Sequence, residues 1–253
     1  MNNFFDLNKT IYQTYECDRS ELHPIWQQTT QAWIDTHPDW NYEFSDYEKR
    51  KNEVLSILNL SKDATKAFDL LDGIIQADLW KYVVTSKNGG MYADLDSFPT
   101  KSFNELFSKL DRPYELITPP FGHQESISPN CSNFIFAKNT VIGKELIDAM
   151  YKFLEINGFL LKNSKPMLDT KIIDYWFDIL HLNKEKIAGI CNQSKICRSE
   201  GFFIHGVSLK PDPGWRAKND RNVKKGIRSP MPKLYSKEWD LLWSHTYSGI
   251  ILE

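Results

Sequence analysis

Residues 76–99 read QADLWKYVVTSKNGGMYADLDSFP, and they predict a helix, a helix stop and a short strand in direct succession. The predicted helix has an apolar face at helical spacing, which consists of Ile74, Ile75, Leu79, Tyr82 and Val83. Paired glycines after a basic last turn, Gly89 and Gly90, are typical of a helix end. We therefore expect a strand over residues 91–94 to follow at once and to lead into the Asp-Leu-Asp sequence.

Charged residues stand on both parts of this stretch. Asp78 and Lys81 are one turn apart on the predicted helix and so share a face. Asp94 and Asp96 are two positions apart, and in a strand such residues point to the same side. Two carboxylates held this close repel each other unless a cation lies near them, and Mg²⁺ or Mn²⁺ binds such oxygen ligands together with phosphate oxygens. The pattern therefore indicates a site for a divalent cation that completes its shell with phosphate oxygens of a substrate.

The ordered set resembles the sugar-binding region of a glycosyltransferase family. That family includes yeast-type initiating mannosyltransferases and bacterial capsular polysaccharide transferases, and it is distantly similar to the clostridial glucosylating toxins. Its pattern is Ala-Asp, a basic residue shortly after, and then Gly-Gly-x-Tyr-x-Asp-x-Asp. Here the pattern stands as Ala77-Asp78, Lys81 and residues 89–96. The family usually has Arg where Lys81 stands, and Lys keeps the charge but loses the bidentate fork.

The resemblance also covers the beginning of the chain. Residues 11–14, IYQT, are similar to the family's first strand, which approaches the nucleotide base, and residues 37–46 are similar to its second strand region. The implied fold is of the α/β class: a GT-A-type, Rossmann-like mixed sheet that binds a nucleotide-sugar and is flanked by helices. We expect one catalytic domain over residues 1–253, with a nucleotide-sugar-binding half to about residue 140 and an acceptor-side half after it.

The resemblance implies a set of site residues. Asp94 and Asp96 carry catalysis and are the expected ligands of Mn²⁺ or Mg²⁺, although Asp94 contacts the ribose in an alternative assignment. His245, in a late stretch similar to the family's His-x-x-x-Gly, completes the metal shell. The donor-binding residues are Gln13, Thr14, Asp78, Lys81, Tyr92, Asp94 and Asn133. For Asn133, a hydrogen bond to backbone at a strand edge is the alternative. The implied reaction moves a hexose from a UDP- or GDP-hexose to a hydroxyl of a glycan, a lipid-linked glycan or a protein, with retention of anomeric configuration.

Composition limits the partners and the location. The net charge of −2, from 31 basic and 33 acidic residues, argues against nucleic acid as a partner. The four cysteines include no C-x-x-C pair, which favours free thiols in a reducing compartment. The N-terminus does not read as a secretory signal, and no apolar stretch approaches the roughly 20 residues of a membrane span. We therefore expect a cytoplasmic protein whose contact with a membrane, if any, is peripheral.

The rest of the chain alternates strands and helices. Strands are expected over residues 11–15, 40–45, 114–118 and 132–137, and helices over residues 24–34, 49–60, 103–110, 143–155 and 170–180, with one or two more within residues 65–87. Most of the eight tryptophans are expected in the core. Residues 211–232 are rich in Pro, Gly, Lys and Arg and predict a long surface loop.

Three alternative functions stay open. A phosphohydrolase would use Asp94 and Asp96 as nucleophile and acid, but that class has an apolar strand directly before the pair and Gly-Thr after it. A sugar- or nucleotide-binding module without turnover is motivated by Lys81 and by the lack of the family's terminal Trp. The third alternative is a toxin-like glycosyltransferase that modifies a protein.

Overall fold

The computed structural model describes residues 7–22, 24–95, 97–99, 102–108, 110, 113–118, 120–121, 128–129, 133–167, 172–188, 203–204, 207–209, 234–235 and 241–243. The helices of this part are α1 (Pro24–Thr36), α2 (Tyr47–Leu58), α3 (Lys62–Asp69), α4 (Gly73–Asn88), α5 (Phe103–Ser108), α6 (Val141–Lys162) and α7 (Ile172–Leu182). Short 3₁₀ turns lie at Arg19–Glu21 and Lys184–Lys186. The strands are β1 (Thr10–Thr14), β2 (Asn41–Ser45), β3 (Gly90–Ala93), β4 (Phe98–Pro99), β5 (Leu116–Ile117), β6 (Pro120–Phe121), β7 (Ser128–Pro129), β8 (Asn133–Phe136), β9 (Ile187–Ala188), β10 (Phe203–Ile204), β11 (Val207–Leu209), β12 (Leu234–Tyr235) and β13 (Leu241–Trp243).

The main sheet has the strand order β2-β1-β3-β8-β5-β9. β1 lies parallel to both β2 and β3, β8 runs antiparallel to β3 and β5, and β9 lies parallel to β5. Smaller antiparallel pairings join β10 to β4, β6 to β7, and β13 to both β11 and β12. The predicted α/β class, a mixed sheet flanked by helices, is confirmed.

Helices cover both faces of the main sheet. Successive strand residues point to opposite sides, so neighbouring residues of one strand belong to different cores. Tyr12 and Tyr92 belong to the core that packs against α2, α3, α4, α6 and α7. Their neighbours Ile11 and Met91 belong to a second core, which packs against α1 and α5. Three tryptophans, Trp33, Trp80 and Trp176, are fully buried, in line with the prediction that this residue type fills the core.

Connections on opposite faces create a crevice beside β1. The chain leaves β1 through α1, on one face, to reach β2, and it reaches β3 through α2, α3 and α4, on the other face. β1 therefore has β2 on one side and β3 on the other. This is a topological switch point, and in open α/β sheets ligands bind there, outside the carboxyl ends of the strands.

The helix and stop predicted for residues 76–90 are confirmed as α4. The Asp72 side chain accepts a hydrogen bond from the backbone of Ile74 and caps the helix N-terminus. Gly89 and Gly90 end it with φ angles of 70° and 104°, in the region that glycine tolerates best. One detail was wrong: Ile74 is 60% exposed and not part of the apolar face. It stands one turn before Asp78, and so on the polar side of the helix.

Several predicted elements have different bounds. β5 is shorter than the strand expected over residues 114–118, and α6 is longer than the helix expected over residues 143–155. The predicted surface loop over residues 211–232 lies outside the described residues. No helix in the described part of the chain combines the length and the apolar character that a membrane crossing needs.

His37 joins the end of α1 to the beginning of α5. Its Nδ1 lies 3.3 Å from the carbonyl oxygen of Trp33, and its Nε2 accepts from the Phe103 backbone N–H at 3.3 Å. A neutral ring with its proton on Nδ1 satisfies both contacts. The ring is fully buried and packs on Trp33, Phe103 and Trp40. Burial therefore lowers the pKa of His37 to about 4, since the cation would lose its hydration.

The lowered pKa of His37 predicts a pH-dependent stability. In the unfolded chain the ring has a pKa near 6.5, so between about pH 6.5 and 4 the unfolded state binds more protons. The contribution is fully present above about pH 6.5 and is lost as the pH falls toward 4, by about 3 kcal/mol in total. Urea denaturation across this range should show a shallower pH slope for His37→Gln than for the wild type. The exposed His181 supplies the control: His181→Gln should keep the wild-type slope, and equal slopes for all three proteins would contradict the prediction.

Candidate functional site

Asp94 stands immediately after β3, at the carboxyl end of the strand beside the crevice. The strand ends at Ala93, one residue earlier than predicted, and Asp94 begins a turn in which the Ser97 backbone N–H donates to its carbonyl oxygen at 3.0 Å. The Gln13 side chain, from β1, donates to the same oxygen at 3.1 Å. A turn that begins at the carboxyl end of β3 therefore carries the first motif aspartate.

Helix α1 holds this turn from its other side. The Thr29 hydroxyl donates to the carbonyl oxygen of Leu95 at 3.0 Å, and the Trp33 indole N–H donates to that of Ser97 at 2.9 Å. Thr29 and Trp33 are one helical turn apart, and both are buried. Buried carbonyl groups need such partners, so these side chains fix the backbone of the turn. The helical spacing predicts both residues on α1 but gives no indication of this role.

The Asp94 carboxylate has a defined internal partner. The Tyr92 hydroxyl donates to its Oδ1 at 2.7 Å, and the residue as a whole is half-buried. Tyr92 itself is buried, and its ring packs edge-on against Trp80. The two residues are two apart in the chain and share one side of the sheet, as in an extended strand. The structure thus joins Gln13, Tyr92 and Asp94, three of the predicted site residues.

Asp78 and Lys81 form the ion pair that the helical spacing predicts. The Lys81 Nζ lies 2.5 Å from the Asp78 Oδ1, and the side chains are 4% and 27% exposed, respectively. The ammonium group also lies 5.4 Å from the ring centre of Tyr82 and 5.1 Å from that of Tyr92. Cations at this distance are attracted to an aromatic face. The buried cation therefore links Asp78 to Tyr92, whereas the Asp78 carboxylate retains access to solvent.

Gln13 and Thr14, both predicted to bind the donor, make internal contacts at the end of β1. The Tyr42 hydroxyl donates to the Gln13 Oε1 at 2.8 Å, and burial raises the pKa of Tyr42, which keeps this donor protonated. The Thr14 hydroxyl donates to the carbonyl oxygen of Ser45 at 2.6 Å. Both side chains are buried, and these hydrogen bonds give them a role in holding strand ends together.

A buried arginine near Thr14 was not anticipated. Arg50, in the first turn of α2, is fully buried; its Nη1 donates to the Thr14 hydroxyl at 3.1 Å and its Nη2 to the Glu16 carboxylate at 2.7 Å. In the sequence it stands in a charged run, EKRKNE, where a solvated face is the ordinary interpretation. Only the tertiary structure distinguishes this cation from its exposed neighbours.

Asn133 lies on the other side of β3. It is fully buried at the beginning of β8 and pairs with Ala93, the residue before Asp94. This position places it beside the carboxyl end of β3, as the predicted donor contact requires. Asp96 and His245 lie outside the described residues.

The described residues fit part of a cation site. Asp94 supplies a hard carboxylate oxygen at a fixed backbone position, and this type of ligand suits Mg²⁺ and Mn²⁺. Within the described ranges no three His, Cys, Asp or Glu side chains come together as a metal-binding group. Asp94 is therefore the described member of the predicted set, and the identity of the ion follows only from its oxygen chemistry.

Comparison with known proteins matches this region of the chain. Residues 24–112 fit the family model described as the glycosyltransferase sugar-binding region containing the DXD motif. The chain is similar to the initiation-specific alpha-1,6-mannosyltransferase of Schizosaccharomyces pombe, with 29% identity over 104 residues that cover 39% of this chain and 25% of that enzyme. For the enzyme of the same name from Candida albicans the identity is 24% over 103 residues, with coverage of 40% and 27%. The matched segment thus spans about a quarter of the length of these relatives.

Two solved structures are similar over most of the chain. The PaToxG glycosyltransferase has 13% identity and a TM-score of 0.48, with 92% of this chain and 84% of that chain covered. The apo form of mouse xyloside xylosyltransferase 1 has 10% identity and a TM-score of 0.42, with 78% and 91% covered. The family resemblance predicted from residues 76–96 rests on the family model and is confirmed by it. The matched residues, 24–112, contain the Asp78–Lys81 pair and both motif aspartates.

Proposed function

We propose that this chain is a metal-dependent, retaining hexosyltransferase that moves a hexose from a UDP- or GDP-hexose to an acceptor hydroxyl in polysaccharide or glycan synthesis. The observation that carries the proposal is the position of Asp94. Its carboxylate stands at the crevice between β1 and β3, on a turn whose backbone Gln13, Thr29 and Trp33 hold by hydrogen bonds. Side chains held in this way need little reorganisation when charge develops nearby, which favours catalysis.

In this proposal Asp94, Asp96 and His245 hold Mn²⁺ or Mg²⁺, which when bound neutralises the charge of the departing diphosphate. Asp78, partly exposed, accepts hydrogen bonds from the hydroxyl groups of the donor sugar, and buried Lys81 orients it. Tyr92 orients Asp94 through the hydrogen bond to Oδ1. The remaining predicted donor-binding residues, Gln13, Thr14 and Asn133, shape the carboxyl ends of β1 and β8 around the nucleotide-sugar.

Retention is proposed to follow from attack on the face that the diphosphate leaves. The bond from the anomeric carbon to the diphosphate oxygen breaks, the acceptor oxygen bonds to the same face of that carbon, and the acceptor proton passes to the departing diphosphate. The chain's own groups hold the reactants in place. In this proposal the Asp78 carboxylate, paired with Lys81 at 2.5 Å, holds the donor sugar and does not attack the anomeric carbon.

The finer assignments are also proposals. The acceptor is a glycan, a lipid-linked glycan or a protein hydroxyl, and the location is cytoplasmic, which the free thiol of Cys17 fits. Residues 1–253 act as one catalytic unit. The pairings of β9 with β5 and of β10 with β4 support a single unit, because they join segments before and after residue 140.

A thermal-shift screen tests the proposed function. The panel consists of UDP- and GDP-hexoses, each with Mn²⁺, with Mg²⁺ and with a chelator. One pair should raise the melting temperature by several degrees, since ligand at 100 times its Kd stabilises the folded state by about 2.7 kcal/mol. The chelator should remove the shift, and the same pair should then be hydrolysed slowly, as followed by release of nucleoside diphosphate.

The outcomes separate the alternatives. A metal-dependent shift without hydrolysis or transfer across a panel of acceptors would favour a binding module. Transfer to a protein but not to glycans would favour a toxin-like role. If no nucleotide-sugar shifts the melting temperature in the presence of either ion, the proposed function is wrong.

A further inference from the structure

An exposed carboxylate at the crevice is held in place by a buried cation. Glu16 lies two residues beyond the end of β1, and its side chain is 54% exposed, whereas the Arg50 side chain that it pairs with is 1% exposed. The Nη2–Oε1 distance is 2.7 Å. Arg50 also donates a hydrogen bond to the Thr14 hydroxyl. Its guanidinium group therefore connects the end of β1 and the exposed Glu16 carboxylate to the beginning of α2.

Burial of Arg50 is costly for the fold. Its Nε is buried and has no hydrogen-bond partner among the described residues. Replacement of a buried charged pair by well-packed apolar side chains of similar size is often neutral or stabilising. Stability alone therefore does not account for this cation, and its geometric effect is to restrict the position of the Glu16 carboxylate.

A glycine makes room for the carboxylate. Gly73 is the first residue of α4, and a Cβ atom built there would lie 2.9 Å from the Glu16 Oε1. α4 leads directly into β3, which runs parallel to β1, so the N-terminus of α4 lies at the carboxyl edge of the sheet. The same helix carries Asp78 in its second turn. Glu16 thus lies on the side of the crevice where β1, α2 and α4 meet.

The charge of Glu16 restricts what it binds. A carboxylate accepts hydrogen bonds and repels a diphosphate, so its ligand group must carry N–H or O–H donors. In a nucleotide-sugar these donors are the vicinal ribose hydroxyls and, in guanine, the adjacent N1–H and N2–H₂ groups. Uracil offers one N–H between two carbonyl oxygens. A carboxylate that approached this N–H would be repelled by both carbonyl oxygens. Glu16 is separate from the predicted motif that handles the sugar and the diphosphate.

We propose that Glu16 is the residue that recognises the nucleoside of the donor, through hydrogen bonds from ribose hydroxyls or from the guanine edge, and that Arg50 positions it. This inference rests on the proposed function, since it names a part of the same donor site. Arg50 is a positioning residue and does not touch the donor. Gly73 is part of the same arrangement because any side chain there would displace the carboxylate.

Calorimetric titration of GDP, UDP and their 2′-deoxy forms with Mn²⁺ tests the inference. Glu16→Gln removes the charge but keeps the shape, and it should weaken GDP binding about tenfold or more, as loss of a charge-assisted hydrogen bond does. If Glu16 binds the guanine edge, the UDP affinity of Glu16→Gln stays equal to that of the wild type. If Glu16 binds the ribose hydroxyls, Glu16→Gln loses affinity for GDP and for UDP alike. The 2′-deoxy forms should then bind the wild type as weakly as GDP and UDP bind Glu16→Gln. Either pattern supports the proposal.

Two further variants separate recognition from folding. Gly73→Ala should weaken nucleotide binding as Glu16→Gln does but leave the melting temperature nearly unchanged, because the group displaced is a flexible side-chain end. Arg50→Met should weaken binding in the wild type but not further in the Glu16→Gln background, since Arg50 acts through Glu16. If Arg50→Met does not fold, the affinities of Glu16→Gln and Gly73→Ala still test the role of Glu16.

Three negative results have different meanings. Nucleotide affinities within twofold of the wild type for both Glu16→Gln and Gly73→Ala would overturn the role of Glu16 and leave the proposed function intact. A wild-type protein that binds neither nucleotide with Mn²⁺ or Mg²⁺ would overturn the proposed function and this inference together. An Arg50→Met variant that adds its full loss to that of Glu16→Gln would overturn the positioning role.

Discussion

Asp94→Asn should reduce metal-dependent hydrolysis of the nucleotide-sugar by about a thousandfold. Charge stabilisation by a bound divalent ion contributes several kcal/mol to the transition state, and each 1.36 kcal/mol is a factor of ten in rate. The amide keeps an Oδ1 that accepts from Tyr92, and the backbone contacts of the turn do not involve the side chain. The unfolding free energy should therefore change little. Initial rates across a Mn²⁺ titration, together with urea denaturation, measure both effects.

Two further variants show whether the loss belongs to the metal site. Asp96→Ala should abolish the same hydrolysis, because the predicted ion loses its second motif carboxylate. Asp39→Asn is the matched control: its carboxylate pairs with Lys9, next to the beginnings of β1 and β2 and so at the opposite edge of the sheet, and the rate should stay within twofold. Full activity in Asp94→Asn or in Asp96→Ala would refute the assignment of the pair.

The elements around residues 76–96 could be predicted because their signals are local. The apolar spacing before Gly89 and Gly90 predicts α4 and its end, and the structure has both. The Asp78–Lys81 contact follows from helical geometry and is also present. Boundaries were less accurate where a short strand is held by its neighbours in the sheet, as in β5, since local pattern does not specify how far such pairing extends.

The support of the site could not be predicted because it depends on contacts between distant parts of the chain. Thr29 donates a hydrogen bond to Leu95, 66 positions later in the chain, and Trp33 donates one to Ser97, 64 positions later. Their residue types indicate only a buried helix face. Arg50 is a stronger example, since nothing in its charged surroundings distinguishes a buried cation from a solvated one. The motif thus predicts which residues do chemistry, and the fold determines which residues hold them.

Gly90→Ala should lower the free energy of unfolding by about 3 kcal/mol. Gly90 has a φ of 104°, where a side chain costs roughly 1–2 kcal/mol. A Cβ there would also lie 2.6 Å from the carbonyl oxygen of Thr10 and 2.9 Å from the Tyr12 ring, and overpacking of this kind costs about 1–3 kcal/mol more. Relief requires that β3 move away from β1. Urea denaturation should show a lower midpoint with an unchanged slope.

The displacement should also reach the site, because Asp94 follows β3 directly and accepts from Gln13 on β1. We therefore expect the remaining folded Gly90→Ala protein to hydrolyse nucleotide-sugar more slowly than the wild type. Gly73→Ala adds the same methyl group at a helix start without a positive φ, and its unfolding free energy should stay within about 1 kcal/mol of the wild type. A Gly90→Ala protein as stable as Gly73→Ala would show that the close approach of β3 to β1 at Thr10 is wrong. Since that approach fixes where Asp94 emerges, the geometry of the site would then need revision as well.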